Sequence, residues 1–579
     1  LMLASDVRVQ STVRSIDHGR LGGFIKAGIF AALITGLSLL YLFVQFSGLA
    51  TADAMDQAQI ARRLADGKGY TTDYIRPLAM SALQAKGEIK QLDLSEFPDF
   101  YQSPLHPWVS SLGLRLIKDD WKMGLTDIVY RGDRVVAAIS VLFFLLSVLV
   151  SCFVLGRLFD RRLALFGCAA ILLTDLMWQF SLSALPQMLV LFLFSLAALA
   201  TVLAIEIREA SLVRATAWLG GAGACFGLAT LAHGLAVWMF LGWLIFVGFY
   251  FSPRGLAAAS ACALYLVVVA PWMVRNFQVS GNPFGLAVYS AFFNASPEES
   301  YLRAGKVEVD KSGTTLQGKA HAQIVHQIQM ILGYLGMNAA AASFFLALLH
   351  SFRSGTAQAF KWCLLLMWVF AVLGMALYHP TGVVSSNQFH VLFIPLFVGY
   401  GMAFLFVLWN RLAPDNRLLR KLFVSGVLFV CAIPLLLTLF AGQKSRINWP
   451  PYVPPYIGIM RDWFKEDEII CSDMPWAIAW YAQRTSLLLP NSVRAFNRMH
   501  DYGETLQPIR GLYLTPITGD QPLFSGIYRG PYKEWAGLIT RPPQVRGFPL
   551  SQFVSLPIDG QCILFSDRPR WNEARSPQP

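Results

Sequence analysis

Two aspartates lie at a predicted membrane border, where they could serve acid–base chemistry. Asp53 and Asp56 fall in the segment 51–70, TADAMDQAQIARRLADGKGY, directly after the first long apolar run. Their spacing places both carboxylates on one face of a helix. A capped amphipathic helix that rests on the bilayer through Ile60 and Leu64 is the structural alternative, since acidic residues suit a helix N-terminus. Ionisable side chains at such a border are nevertheless candidates for function.

The composition is that of a protein embedded in a membrane. Of the 579 residues, 55% are hydrophobic and 14% are charged, and soluble proteins rarely combine these values. Apolar runs near 20 residues long predict about eleven membrane spans. We place them at 24–46, 135–156, 163–180, 186–206, 215–232, 235–251, 256–275, 326–349, 360–378, 390–409 and 421–441.

The net charge of +12 is explained by membrane topology without a nucleic-acid partner. Basic residues cluster in short connections that all fall on one side if the spans alternate, and the positive-inside rule makes that side, with the N-terminus, cytoplasmic. The sequence predicts a multi-pass protein of the cell inner (cytoplasmic) membrane, with a transmembrane domain over 1–441. The first loop, 47–134, the loop 276–325 and the segment 442–579 are then external, on the periplasmic side.

Residues 442–579 are predicted to form a small external α/β domain. The runs DEIICSD, TSLLLP, RGLYLTP and CILFSD are typical of strands, and WAIAWYAQR is typical of a helix. Cys471 and Cys562 could pair in an oxidising compartment or remain two buried thiols. The absence of a Gly-rich nucleotide loop from the sequence argues against a nucleotide-sugar donor bound in a Rossmann domain.

The first loop resembles that of the GT-C glycosyltransferases, membrane enzymes related to protein O-mannosyltransferases and the lipid A aminoarabinose transferase. Those enzymes carry an acidic motif after the first span, followed by Ala-Arg and a Gly. Here Asp53, Ala61-Arg62 and Gly67 match that pattern. The resemblance implies that Asp53 is the catalytic carboxylate, and Asp56 is the second candidate because the usual neighbouring Glu is missing.

Other stretches carry the same resemblance. FPDFYQSPLHPWVSSL contains the Ser-Pro-Leu sequence that helps to shape the cavity roof in the family, and it brings Tyr101 and His106 as candidate substrate-binding residues. APWMVRNFQVSGNPFG at the end of span seven supplies Arg275, and SDMPWAIAWYAQRTSLLLP resembles the soluble tail of bacterial members.

The sequence also contains cationic residues that could bind a phosphate group. Arg76, in TTDYIRPL, lies on the predicted active face, and the guanidinium fork suits phosphate. Surface snorkelling explains Arg76 and Arg275 just as simply. His233, at a predicted external turn, is assigned first to a structural role.

The family's Arg-Tyr pair before span ten is missing. YHPTGVVSSNQFHVLFIPL has Gln388-Phe389 in its place, and Gln187 stands where relatives often have Glu. Another cation must then bind the phosphate, and His379 and His390 are the local substitutes.

The resemblance implies an inverting transfer of a sugar from a polyprenyl-phosphate donor to an acceptor glycan, lipid or protein at the outer membrane face. Asp53 would act as general base while Arg76, Arg275 or a loop lysine stabilises the leaving phosphate. No cofactor is certain, and a divalent metal at Asp53 and Asp56 stays open. The alternatives are a lipid or sugar transporter or flippase, which should show an internal repeat or mid-membrane charges, and a catalytically inactive GT-C-like scaffold subunit.

Overall fold

The computed structural model divides the chain into two compact units, residues 1–47 and 48–579. In the first unit, the apolar helix α1 (Ala32–Gln45) ends in a π-helical turn at Tyr41–Gln45. The residues that the structure describes are 28, 32–87, 90–117, 119–127, 129–291, 300–304, 316–378, 382–412, 416–440, 454–501, 504–519, 524–530, 532–540, 548–552 and 562–570.

The second unit begins with the first loop, whose described part forms three helices and one short strand. These are α2 (Ala52–Ala65), β1 (Tyr74–Ile75), α3 (Pro77–Gly87) and α4 (Leu105–Leu116). Helix α2 starts because the Thr51 hydroxyl accepts a hydrogen bond from the Ala54 N–H at 3.3 Å, which caps the first turn. The predicted interfacial helix is corrected by its burial: residues 54–63 are all buried in protein, so α2 does not rest on a lipid surface.

Between residues 131 and 440 the described chain is a succession of helices. They are α5 (Arg131–Leu158), α6 (Arg161–Leu172), α7 (Asp175–Leu182), α8 (Gln187–Ile207), α9 (Leu212–Ala232), α10 (Ala236–Tyr250), α11 (Arg254–Ser280), α12 (Leu316–Gln329), α13 (Ile331–Tyr334), α14 (Ala339–Ala347), α15 (Gly355–Tyr378), α16 (His390–Leu412) and α17 (Arg417–Phe440).

Seven helices of the described residues are long and apolar enough to cross a membrane: α5, α8, α9, α11, α15, α16 and α17. An eighth span results if α6 and α7, which meet at 61°, count as one. The predicted span 235–251 is the 15-residue helix α10, and the predicted span 326–349 is broken into parts of α12, α13 and α14. The helical membrane protein is therefore confirmed, whereas the described helices do not reach eleven spans.

Helices α8 and α16 form the centre of this bundle. Within their apolar windows, 78% of α8 and 72% of α16 are buried, against 22% for α11 and for α17. Because lipid tails are as apolar as leucine, a span with an exposed apolar surface is stable in a bilayer. Helices α8 and α16 are therefore largely enclosed by protein, and α11 and α17 lie at the periphery of the bundle.

A six-stranded sheet covers the other part of the unit. The strands β2 (Ile469–Ser472), β3 (Ser486–Leu488), β4 (Ile509–Leu514), β5 (Ser551–Gln552) and β6 (Ile563–Ser566) join β1 in the order β1-β3-β2-β4-β6-β5. The pairs β1–β3, β3–β2 and β2–β4 are parallel, and β6 runs antiparallel to β4 and β5. The short helices around it are α18 (Pro454–Gly458), α19 (Met460–Trp463), α20 (Pro475–Ala477), α21 (Val493–His500), α22 (Pro516–Gly519), α23 (Phe524–Arg529) and α24 (Ala536–Thr540).

The four strand-like runs of the sequence are found as β2, β3, β4 and β6, but the sheet also takes β1 from the first loop. The division at residue 442 and the external location of this part stay predictions. Cys471 lies buried in β2 as a free thiol, so it does not pair with Cys562.

The segment after β2 is fastened to α2 and α5 by buried polar groups. The Arg62 guanidinium donates to the carbonyl oxygens of Trp480 and Ala479, each at 2.6 Å, and lies 5.1 Å from the centre of the Trp480 ring. Asp133, near the start of α5, accepts from the Trp480 indole at 2.6 Å and from the Tyr481 hydroxyl at 3.0 Å. These contacts fix the helix that carries Asp53 against the C-terminal segment.

Arg62→Ala is expected to destabilise the protein, because it removes two buried hydrogen bonds from a charged group. Each such bond contributes up to roughly 1.5–3 kcal/mol to the free energy of unfolding. Thermal unfolding of the purified protein in detergent should show a Tm lowered by several degrees. Arg115→Ala is the matched control, since the exposed Arg115 donates to the Leu64 carbonyl at the end of the same helix and surface changes cost little. Equal Tm values for the two variants would contradict the docking role of Arg62.

Candidate active site

A cavity of about 1110 Å³ lies between the first loop, the ends of several spans and the sheet. One side is apolar, with Val237, Trp238 and Leu241 of α10 and Leu266 of α11. Polar side chains also line the cavity, among them Gln102, Asn276 and Ser386. The described lining residues with an ionisable carboxylate or imidazole group are Asp53, His233 and Asp473.

Asp53 presents its carboxylate to this cavity from the first turn of α2. One of its oxygens, Oδ2, accepts a hydrogen bond from the Ser386 hydroxyl. Burial raises the pKa of Asp53 above the ordinary aspartate value of 3.8, and the charge of Asp56 adds to this, while the Ser386 hydrogen bond and Arg76 oppose it. A carboxylate with a raised pKa is a stronger proton acceptor once it is ionised.

Ser386 is positioned by Gln187, the first residue of α8. The Gln187 amide donates to the carbonyl oxygens of Ser385 and Ser386, the first of them at 3.2 Å. Gln187 is completely buried, so its rotamer is set by packing. Gln187, which stands where relatives often have Glu, thus orients the loop that reaches Asp53.

Asp56 lies behind Asp53 and is neutralised by protein. Its Oδ2 accepts from Arg76 Nη2 at 2.5 Å and from the Gln102 amide at 2.7 Å, and its Oδ1 accepts from Gln59 at 3.1 Å. Only 1% of Asp56 is exposed. Both oxygens of the carboxylate that was expected to face the cavity are therefore hydrogen-bonded within the protein.

Arg76 belongs to the same buried cluster. Besides Asp56, its guanidinium contacts Asp99 at 3.5 Å, and it lies between the rings of Tyr74 and Tyr101, with centroids 3.9 and 4.1 Å away. Burial raises the pKa of Asp99 to about 6, although Arg76 opposes this. The structure gives Arg76 an architectural position, in contrast to the expected contact with a donor phosphate.

Arg275, near the end of α11, holds the first loop in place. Its guanidinium donates to the backbone carbonyl of Asp99 and, at 3.4 Å, to that of Tyr70. At the same point the Leu286 N–H donates to the Phe100 carbonyl at 3.0 Å. The preceding Gly285 cannot carry a side chain, because its φ is +66° and the Phe100 carbonyl occupies the place of a Cβ. Arg275 was expected to meet a phosphate but supports the first loop from outside the cavity lining, whereas Asn276 of the same motif lines the cavity.

His106 and Tyr101 reach the site to different degrees. Tyr101 lines the cavity. His106 is buried behind Gln57, with its Nδ1 2.6 Å from the Gln57 amide oxygen, and burial lowers its pKa to about 4. Gln57, itself in the lining, donates to Gln102 at 3.1 Å, so His106 acts on the cavity through an amide.

The structure does not bring His390 to the cavity. Its Nδ1 accepts from the Trp368 indole at 3.1 Å and its Nε2 lies 3.2 Å from the Gln327 amide oxygen. The imidazole also stacks on Tyr334, 5.2 Å between centroids, in a separate apolar groove. His390 is therefore absent from the cavity lining, and His379 lies outside the described residues, so a phosphate-binding role for either stays a prediction.

A divalent metal does not fit Asp53 and Asp56 as the protein arranges them. Arg76 already neutralises Asp56, and a metal site needs ligand oxygens that converge on one point. Within the described part of the chain, no three His, Cys, Asp or Glu side chains come together in the manner of a metal centre.

Sequence reasoning missed the neutral groups that complete the lining. Ser386 stands 333 residues from Asp53, and Asn276 and Gln102 are amides in otherwise apolar or mixed stretches. His233, assigned first to a structural role, lines the cavity. The only signal for these residues was that Gln187, His233 and the SSNQF stretch interrupt apolar segments at predicted external turns.

Comparison with known proteins supports the architecture. No family model matches the chain, and no curated protein matches it. Among solved structures, ArnT from Cupriavidus metallidurans in the apo state matches with a TM-score of 0.57 and 15% identity over 96% of this chain and 100% of that one. The same protein bound to undecaprenyl phosphate matches with a TM-score of 0.54 and 15% identity, over 95% and 99% of the two chains.

A second protein shares part of this architecture. The oligosaccharyltransferase of Archaeoglobus fulgidus, in a complex with Zn and sulfate, matches with a TM-score of 0.51 and 14% identity. The match covers 84% of this chain and 67% of that one. With ArnT matched over nearly its whole length and the oligosaccharyltransferase over two thirds, the chain shares the fold of these two solved proteins.

Proposed function

We propose that this protein transfers a sugar from a polyprenyl-phosphate donor to an acceptor at the outer face of the membrane, with inversion at the anomeric carbon. The observation that carries the proposal is the ionisable carboxylate of Asp53, held by Ser386 at the wall of a cavity large enough for a lipid-linked sugar. A solved structure of the same fold, ArnT from Cupriavidus metallidurans, contains undecaprenyl phosphate. Fold alone does not fix chemistry, so the argument rests on Asp53 and its surroundings.

Asp53 is the general base of the proposed reaction. An acceptor hydroxyl or amine attacks the anomeric carbon, its proton passes to Asp53, and the bond between that carbon and the phosphate oxygen breaks. The polyprenyl phosphate leaves with the bonding electrons. Because the incoming and leaving groups occupy opposite faces of the sugar, the configuration inverts.

Neutral hydrogen-bond donors take the place of the expected arginines at the leaving phosphate. The Nδ1 atom of His233 accepts from the Leu235 N–H at 3.3 Å, and burial lowers the pKa of His233 to about 4, so the neutral ring carries its proton on Nε2. The Asn276 side-chain oxygen accepts from Arg275 at 3.1 Å, which leaves the NH₂ group as a donor. Both residues line the cavity.

Binding of undecaprenyl phosphate to the purified protein tests the donor class directly. We expect saturable binding in detergent, measured by native mass spectrometry, and weaker binding for the double variant His233→Ala, Asn276→Ala. Phosphatidic acid serves as the comparison lipid, since it offers a phosphate without a polyprenyl chain. Equal binding of the two lipids would contradict a polyprenyl-phosphate donor.

Ser386→Ala is expected to shift the acid limb of the pH–rate profile to higher pH. Asp53 must be ionised to accept a proton, so kcat/KM falls as the pH drops through its pKa, which lies above 3.8. The Ser386 hydrogen bond lowers that pKa, and its loss raises the pKa further. Ser81→Ala is the control, because Ser81 donates to the Pro77 carbonyl within α3. If Ser386→Ala left the acid limb of the pH–rate profile unchanged, that limb would not report the ionisation of Asp53.

A catalytically inactive GT-C-like scaffold is the second candidate, and one observation favours it. The described lining residues of the cavity include neither Lys nor Arg, while Arg76 and Arg275 are held by internal contacts. A scaffold would bind undecaprenyl phosphate without turning over any linked sugar. Transfer that depends on Asp53 would exclude it.

A further inference from the structure

Three parallel strands border the same cavity as Asp53 with their carboxyl ends, and β1 borders it with its first residue. In the order β1-β3-β2-β4, Tyr74 belongs to β1, Leu488 ends β3, Asp473 directly follows β2 and Ile517 follows β4. All four line the cavity. One wall of the cavity is therefore a sheet edge.

This edge contains a topological switch point. The chain passes from β2 to β3 on one side, then crosses back to β4 on the other side of β2. The loops that leave β2 and β4 consequently diverge, and in open α/β sheets the crevice between such loops is where ligands bind. Asp473 lies on one side of this crevice and Ile517 on the other.

The Asp473 carboxylate is held here by hydrogen bonds that are unevenly shared between its two oxygens. Its Oδ2 accepts from the N–H and hydroxyl of Thr515, both at 2.9 Å, and from the N–H and hydroxyl of Thr518, at 3.2 and 2.8 Å. Its Oδ1 has the Ser472 hydroxyl at 3.4 Å. Since an ionised carboxylate oxygen accepts more than one hydrogen bond, Oδ1 keeps capacity for a donor from a ligand.

Trp476 stands beside Asp473 in the lining, three residues further on. It is half-buried and packs edge-on against Tyr74, with ring centroids 6.1 Å apart. An indole combines a large apolar face with a polar N–H, and the C–H face of a pyranose ring packs on such a surface while its hydroxyls donate to a nearby carboxylate. The two carboxyl groups of the described lining, Asp53 and Asp473, favour a neutral hydroxyl-bearing ligand over an anionic one.

We infer that Asp473 and Trp476 form an acceptor subsite for a neutral glycan, at the sheet edge across the cavity from the donor. This inference rests on the proposed function, because it gives the second substrate of that reaction its place. The cavity of about 1110 Å³ slightly exceeds the roughly 300–1,000 Å³ of ordinary small-molecule sites, so it has room for an acceptor sugar beside the donor sugar. The sheet then recognises the acceptor, and the helices recognise the donor.

Saturation-transfer NMR on the full chain, in a detergent without sugar groups and without any donor, tests the subsite. The probes are methyl mannoside, lactose and chitobiose. We expect saturation of the ring protons of at least one probe, with affinity reduced at least tenfold in Trp476→Ala and in Asp473→Asn. Asparagine keeps an oxygen for the four donors of Thr515 and Thr518 but turns the Oδ1 position into a donor.

Two further variants keep the test independent of folding. Trp476→Phe retains an aromatic face and should bind more strongly than Trp476→Ala. Asp462→Asn removes a carboxylate from an exposed pair with Lys122, away from the cavity lining, and should bind like the parent protein. Absence of signal from every probe, or signals unchanged in both Trp476→Ala and Asp473→Asn, would overturn the subsite.

The same preparation separates this inference from the proposed function. If undecaprenyl phosphate binds and no sugar does, the subsite is wrong while the donor assignment stands. If a sugar binds through Trp476 and Asp473 but undecaprenyl phosphate does not, the glycan site stands, while its assignment to an acceptor fails together with the transferase proposal. A preference for an acidic or basic peptide over the sugars would also overturn the glycan assignment.

Discussion

Asp53→Asn is expected to lower sugar transfer by roughly 100- to 10,000-fold, the range that a positioned general base contributes. The amide cannot take the acceptor proton, yet it still accepts a hydrogen bond from Ser386, so the first turn of α2 should keep its position. Transfer should be followed with a lipid-linked donor and purified protein, together with Tm and undecaprenyl-phosphate binding. Both of these should match the parent.

Asp66→Asn is the matched control for this variant. Asp66 ends the same helix, is exposed and lies outside the cavity lining, so its loss should leave transfer unchanged. Asp56→Asn should reduce transfer less than Asp53→Asn, because Asp56 is buried against Arg76. Transfer at the parental rate by Asp53→Asn would remove Asp53 from the base position, and a larger loss in Asp56→Asn would exchange the two.

Arg76→Ala is expected to reduce stability strongly, by about 3–5 kcal/mol, which is the usual cost of removing one partner from a buried ion pair. The carboxylates of Asp56 and Asp99, 1% and 2% exposed, would lose the one guanidinium that contacts both. Thermal unfolding should show a large fall in Tm, and the double variant Arg76→Met, Asp56→Asn should recover part of it.

The sequence-based expectation for Arg76 predicts the opposite pattern. A phosphate-binding Arg76 would leave Tm unchanged when replaced and would abolish undecaprenyl-phosphate binding. Arg131→Ala supplies the scale for an exposed ion pair, because Arg131 meets Asp119 at 3.1 Å with 78% of its side chain exposed, and such pairs contribute at most about 1 kcal/mol. A fall in Tm for Arg76→Ala no larger than that of Arg131→Ala would refute the architectural role.

The fold could be predicted from the sequence to the extent that it follows hydrophobic runs. Long apolar stretches became α5, α8 and the other long helices, because burial or lipid satisfies such surfaces wherever they lie. The predicted span 326–349 was wrong, because hydropathy does not register the break at Gly336, where φ is +67°. Strand β1 was missed because two residues carry no periodicity and gain their pairing only from β3.

The site was predictable in its residue types and much less in its contacts. An acidic residue at the end of an apolar run marked Asp53, and local position was enough. Arg76 was recognised as a cation, but whether it meets a ligand or Asp56 depends on tertiary packing that spacing does not encode. Ser386 and Asp473 could not be connected to Asp53 from the sequence, since hundreds of residues separate them and neither stands in a charged cluster.

The pairing of α2 with the C-terminal segment also dictates an order of events during synthesis. Arg62 and the Trp480 carbonyl that it binds are 418 residues apart along the chain. At roughly 5–20 residues per second, a ribosome needs roughly 20–80 s to make the second after the first. Throughout that interval the nascent first loop lacks part of the surface that will bury α2. A premature stop before residue 480 would remove the carbonyl that Arg62 binds and would therefore affect the helix that carries Asp53.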